Sequence, residues 1–149
     1  MEFDNETQLQ AFATALADKL VPGDVLLLDG DLGAGKTSFT KGLAVGLGIN
    51  DPIKSPTFTI VREYQDGRLP LYHMDIYRLE DGGAEDLGLE EYFEGDGVSV
   101  VEWPEFLRSA LPETYVLIHF LKDDHDDDKR TLTFEAVGER AQQLIADLH

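Results

Sequence analysis

The stretch Val25-Leu26-Leu27-Leu28-Asp29-Gly30-Asp31-Leu32-Gly33-Ala34-Gly35-Lys36-Thr37-Ser38 decides the fold. Its first four residues, Val25 to Leu28, are a short continuous apolar run, the pattern of a strand buried on both faces. Residues 30–37 then fit G-x-x-x-x-G-K-[S/T] at every specified position. Next, Lys36 to Leu47 carries Phe39, Leu43, Ala44 and Leu47 at helix-compatible spacing, with Gly48 to stop it. A phosphate-binding loop belongs between a strand and a helix, and this match sits there. Its glycines let the backbone curl so that successive N–H groups face phosphate oxygens, and the helix N-terminus adds its positive dipole. In that frame Lys36 reaches the β- and γ-phosphates, and the Thr37 hydroxyl is one ligand of the Mg²⁺ that bridges them. Average residue frequencies make a chance match in a chain this long rarer than about one in a hundred. The cradle therefore predicts a nucleoside triphosphate as ligand, but it does not name a reaction.

Ahead of this stretch, Phe12, Ala13, Leu16 and Leu20 follow Leu9 at helical spacing. Asn5 or Thr7 is placed to cap that helix, and Pro22-Gly23 breaks it. Beyond it the pattern turns to strands. Phe58 to Tyr64 and Leu69 to Asp75, separated by Gln65-Asp66-Gly67-Arg68, predict a hairpin. Ala84 to Phe93 predicts a helix, Val98 to Val101 another buried strand, and Pro104 to Ala110 a short helix opened by proline. Tyr115 to Leu121 and Thr131 to Val137 predict two late strands joined across the acidic loop 123–128. A last helix carries Ala141, Leu144, Ile145 and Leu148. Strands and helices alternating around a phosphate loop predict an α/β, P-loop NTPase-like three-layer fold with a central mixed β-sheet. With 149 residues, no internal repeat and no dividing linker, the chain reads as a single domain, 1–149.

Composition narrows the function. Hydrophobic content of 42% beside 28% charged residues is that of a globular chain and excludes disorder throughout. Twelve Lys and Arg against thirty Asp and Glu give a net charge of −18, which repels nucleic acid and argues against unaided binding to DNA or RNA. Without cysteine there is no disulfide framework, cysteine nucleophile or thiolate metal site. The amino end, MEFDNETQ, is acidic where a signal peptide is basic and then apolar, and no apolar run is long enough to span a membrane. These features predict a soluble, cytoplasmic protein.

A P-loop enzyme also needs an acid at the tip of a neighbouring strand, to hold the Mg²⁺ shell or orient the attacking water. Glu102, after Val98-Ser99-Val100-Val101, and Asp75, after Tyr72-His73-Met74, both answer that description. His73 lies two residues before Asp75 and so on the same strand face, but no third ligand has metal spacing, and it reads as a hydrogen-bonded structural histidine. Ser55-Pro56-Thr57 places a hydroxyl in a loop that would sense a γ-phosphate. Trp103, the only tryptophan, follows Glu102 and is expected to pack under the sheet edge. The Asp-rich run 123–128 lacks the Gly and terminal Glu of a Ca²⁺ loop and reads as a solvated connection.

Taken together, the phosphate loop, S-P-T-F-T at 55–59, H-M-D-I-Y-R-L at 73–79 and E-W-P at 102–104 closely resemble the TsaE family, formerly YjeE, almost end to end. These are small bacterial ATPases needed to make N6-threonylcarbamoyladenosine in tRNAs that read codons beginning with A. The resemblance implies that Lys36 binds phosphate within the backbone of Gly33, Ala34, Gly35 and Ser38, and that Thr37 ligates Mg²⁺. It makes Thr57 the switch threonine, Asp75 the essential strand-end aspartate, Glu102 the acid that meets Mg²⁺ directly or through water, and Trp103 the tryptophan beside that acid. Asp4 to Thr7 and the pair Lys129-Arg130 fall where the family contacts the base end of the nucleotide; the Asp-rich insertion departs from the family near there. The implied cofactors are ATP and Mg²⁺, and the implied partners are TsaD and TsaB. TsaD performs the transfer, tRNA is met only through the complex, there is no membrane, and self-association is possible. The rival enzyme class is a small-molecule P-loop kinase; the arginines at 62, 68, 78, 108, 130 and 140 are scattered, which argues weakly against a phosphate lid, and product analysis with candidate acceptors decides between the two. A GTP-dependent switch is disfavoured by the missing N-K-x-D motif.

Overall fold

The apolar run that begins at Val25 becomes the middle strand of the sheet in the computed structural model, which describes residues 1–31, 33–53, 60–79 and 82–148. Among the described residues seven strands are seen: β1 (Glu2–Phe3), β2 (Val25–Gly30), β3 (Val61–Tyr64), β4 (Leu71–Asp75), β5 (Val98–Glu102), β6 (Tyr115–Lys122) and β7 (Arg130–Val137). Their order is β1-β7-β6-β2-β5-β4-β3. β2 runs parallel to both β5 and β6, and β5 parallel to β4; the outer pairs β3–β4, β6–β7 and β1–β7 are antiparallel. The sheet is mixed, as its sequence pattern predicts.

Alternation along the strands splits the core into two layers. On one face Leu26, Leu28, Val98, Val100, Ile118 and Phe120 pack under α1 (Glu6–Ala17), α2 (Lys36–Leu47) and α4 (Glu139–Ala146). On the other, Val25, Leu27, Met74 and Val101 meet Ala84, Leu89, Phe93 and Leu107 from short segments, among them the single turn α3 (Glu90–Phe93). α1 starts where Asn5 accepts the Gln8 N–H at 2.9 Å, and α2 ends at Gly48 with φ +79, the left-handed stop glycine supplies.

Two contacts place the site. α1 and α2 touch backbone to backbone, because Gly42 and Gly46 present no side chain: a Cβ on Gly42 would lie 2.5 Å from the Gln10 carbonyl oxygen, and one on Gly46 2.4 Å from that of Thr14. At the sheet edge β1 pairs with β7, Phe3 opposite Arg130, which brings the start of α1 beside residues 128–130 and the phosphate loop.

The structure corrects the expected helix Ala84–Phe93. It is a 3-10 turn at Ala84–Asp86 and α3, divided by Gly88 at φ +65, a backbone state that ends helices. The helix expected at Pro104–Ala110 is 3-10 and breaks at Arg108, φ 52 and ψ −120. Strand β1 was not expected, and Leu20 and Leu148 lie beyond their helices. Of the expected strand Phe58–Tyr64, residues 58 and 59 lie outside the described residues, and pairing is seen from Val61. No helix among the described residues is long and apolar enough to cross a membrane.

Candidate functional site

β2 carries the chain to Gly30 and α2 receives it at Lys36, so the loop opens at the C-terminal ends of the parallel strands, the usual ligand crevice of an open α/β sheet. Gly35, with φ +106, makes the last bend before the helix, and a Cβ there would sit 2.9 Å from Leu9 Cδ2. The N–H groups at the head of α2 face the opening without a capping side chain.

Lys36 is folded back over this opening. It is 5% exposed; its Nζ donates to the Gly30 carbonyl at 2.8 Å and lies 4.5 Å from the centroid of the Trp103 ring. Trp103 takes a left-handed backbone, φ 62, directly after β5, and its ring also packs on Tyr77 and Phe106. Holding a cation and two aromatic rings, it contributes more than the sheet-edge packing expected of it.

Glu102 ends β5 opposite Leu28 of β2 and Asp75 of β4, so both candidate acids meet side by side. Glu102 is nearly buried, and one of its oxygens lies 2.7 Å from His73 Nε2. Asp75 is half-buried and accepts the Tyr77 N–H at 3.1 Å. Burial pushes its carboxyl above the ordinary value and Glu102 adds to the rise, against the lowering pull of the Tyr77 N–H and of Lys36.

A cavity of about 310 Å³ runs from Lys36, Thr37 and Glu102, past Gly33, Gly35 and Ser38, to Glu6, Leu9, Asp128 and Arg130. Ser38 Oγ donates to Glu6 at 2.7 Å, and Arg130 reaches across to the Gly33 carbonyl at 3.3 Å, tying both walls to the loop. The fold thus gathers Gly33, Gly35, Lys36, Thr37, Ser38, Glu102 and Arg130 around one space. Ala34 is buried against the core and offers only its backbone. Asp75 and Trp103 stand behind the lining residues, whereas Asp4, Thr7 and Lys129 do not line the cavity. Asp4 N–H instead donates to Gln8, and the Lys129 carbonyl accepts from Arg130. Thr57 lies outside the described residues.

Leu9 and Asp128 were not expected in the site, whereas Glu6 falls within the Asp4 to Thr7 stretch expected at its base end. They are distant in sequence, and the packing of α1 on α2 together with the pairing of β1 with β7 brings them to the loop. The hard oxygens of Thr37, Glu102 and Asp75 suit Mg²⁺. Among the described residues no three His, Cys, Asp or Glu side chains converge on one point, so such a cation would take much of its shell from phosphate and water, as Mg²⁺ does in nucleotide sites.

The chain has known counterparts in sequence and fold. The family model described as threonylcarbamoyl adenosine biosynthesis protein TsaE matches residues 3–132. A tRNA threonylcarbamoyladenosine biosynthesis protein TsaE from Bacillus subtilis is 53% identical over 144 residues, 97% of this chain and 89% of the relative. One of the same name from a Nostoc species is 42% identical over 134 residues, 87% and 82% of the two chains. The crystal structure of YdiB from Bacillus subtilis superposes with a TM-score of 0.87 at 47% identity, covering 99% of this chain and 91% of that one. Matched over most of its length by the family model and over nearly all of it by such relatives, the chain belongs to the TsaE family.

Proposed function

We propose that this chain is a cytoplasmic, Mg²⁺-dependent ATPase serving tRNA N6-threonylcarbamoyladenosine biosynthesis together with the TsaB–TsaD complex. The observation that carries the reading is the meeting of Lys36, Thr37 and Glu102 on one cavity at the ends of parallel β2 and β5. A phosphate-seeking ammonium, a hydroxyl and a carboxylate then surround one anion-binding loop. Family membership supplies the pathway, because the relatives are named for it.

In this reading Mg²⁺ neutralises phosphate charge when bound, held by Thr37 and Glu102 with Asp75 beside them. Lys36 leaves the Gly30 carbonyl and the Trp103 ring for the β- and γ-phosphates, exchanging two partners of partial charge for a full anion. The N–H groups of Gly33 to Ser38 hold the remaining phosphate oxygens. A carboxylate of the Asp75–Glu102 pair orients the attacking water in line with the leaving group. Thr57 answers the γ-phosphate, and Arg130 serves the base end of the nucleotide, with Asp4, Thr7 and Lys129 near it. The chain meets tRNA only through its partners, which suits a net charge of −18. Turnover is slow alone and rises in the complex.

The roles separate in one variant. Glu102→Ala is expected to lower ATP turnover by at least about tenfold while changing nucleotide affinity much less. Equal loss of binding and turnover, measured by calorimetry beside phosphate release, would reduce Glu102 to a binding or folding role.

A further inference from the structure

We propose that His73 is a positioning residue: as the neutral tautomer with its proton on Nε2, it donates to Glu102 and fixes that carboxylate for the cation. The inference deepens the reading of Glu102 as a Mg²⁺ carboxylate and rests on it.

His73 is fully buried, and its Nε2 lies 2.7 Å from Glu102 Oε2, a short contact of the kind a charge-assisted hydrogen bond makes. Its other nitrogen, Nδ1, is buried and has no hydrogen-bond partner among the described residues. That asymmetry assigns the proton. A neutral imidazole carries one N–H and one lone pair. With the proton on Nδ1, the ring would bury an N–H with no acceptor and set its lone pair against a carboxylate oxygen. Protonated on both nitrogens, it would again bury an unanswered N–H. With the proton on Nε2, only a lone pair goes unmet, the cheaper omission in a protein interior.

The strands explain why the bond forms. His73 stands opposite Val100 and Asp75 opposite Glu102, so His73 and Glu102 share a sheet face on adjacent parallel strands, two residues out of step. Glu102 therefore spends one oxygen on β4, and its carboxylate plane is set by a buried ring that cannot turn freely. Glu102 still lines the cavity beside Thr37. Residues that orient a metal-binding carboxylate in this way carry much of the site's metal affinity.

Two substitutions and one spectrum test this. His73→Phe keeps a ring but no donor; His73→Gln places an amide N–H near the position of Nε2. His73→Phe is expected to raise the Mg²⁺ concentration for half-maximal turnover and to cut turnover about 10–100-fold, with nucleotide affinity in the absence of Mg²⁺ unchanged. His73→Gln should recover most of both. Should the phenylalanine variant not fold, His73→Asn, whose amide reaches the Nδ1 position instead, replaces it and should fail where Gln succeeds. Independently, long-range proton–nitrogen spectra of the ¹⁵N-labelled chain should show a pyrrole-type Nε2 and a pyridine-type Nδ1 in the signal that His73→Gln removes. A protonated Nδ1, or variants with and without the donor that behave alike in an active background, would overturn the proposal. The spectrum needs neither nucleotide nor turnover, so it still decides the hydrogen bond if the wild-type chain hydrolyses no ATP, a result that would instead count against the ATPase reading.

Discussion

Asp75 shows how a single partly buried carboxylate costs the folded protein stability at neutral pH. Its folded carboxyl titrates above the ordinary value chiefly because it is partly buried, so the native state binds the proton more tightly than the unfolded chain does. Its contribution to stability is therefore fully present below the unfolded value of 3.8 and is lost as pH rises through the raised folded value. At neutral pH the ionised group strains the free protein. Asp75→Asn is expected to melt about 2–4 °C higher than wild type at most at pH 7, because water screens a half-buried charge, with the gap closing toward pH 4. The same variant should turn ATP over more slowly, and thermal scans beside phosphate-release assays check both halves. A gap that widened toward acid would reverse the sign of this account. Asp75, Glu102 and Lys36 were legible in sequence because each follows a recognisable strand or motif. What Lys36 does in the free protein was not, since its contact with Trp103 depends on a left-handed turn after β5 that no local pattern announces.

At the scale of elements, the phosphate loop depends on how closely α1 and α2 approach. Gly42→Ala would set a methyl carbon 2.5 Å from the Gln10 carbonyl oxygen, so the helices must part. Overpacking of this kind costs about 1–3 kcal/mol, more than the roughly 1 kcal/mol that alanine gains over glycine in a helix. Urea unfolding should show the net loss, and a variant as stable as wild type would mean that α1 moves freely. A second tie closes the far end: Arg140 of α4 donates through Nε and Nη2 to the two oxygens of Asp24, each at 3.0 Å, just before β2. Arg140→Ala should cost about 1–3 kcal/mol, because Asp24 stays buried with the Val21 N–H as its remaining donor among the described residues. β2, α2, β5 and the late hairpin were readable because each carries its own period or motif. β1 has two residues and no period; the run from Ala84 to Phe93 looks helical by its apolar residues, but Gly88 divides it.

For the whole molecule, charge and topology decide what the site can meet. The cavity's inner end follows from one contiguous motif, whereas its outer wall of Glu6, Leu9 and Asp128 follows from chain ends brought together by β1 and β7, a long-range pairing that spacing does not encode. Net charge of −18 predicts that the isolated chain does not retain tRNA at physiological salt; a mobility-shift assay with and without the partner proteins checks this. Family membership fixes the pathway. The most direct test is Mg²⁺-dependent ATP turnover by this chain alone and then with purified TsaB and TsaD, with Lys36→Ala as the blank. The account predicts slow turnover that rises with the partners and disappears in the variant. Turnover retained by Lys36→Ala, or indifferent to TsaB and TsaD, would contradict it.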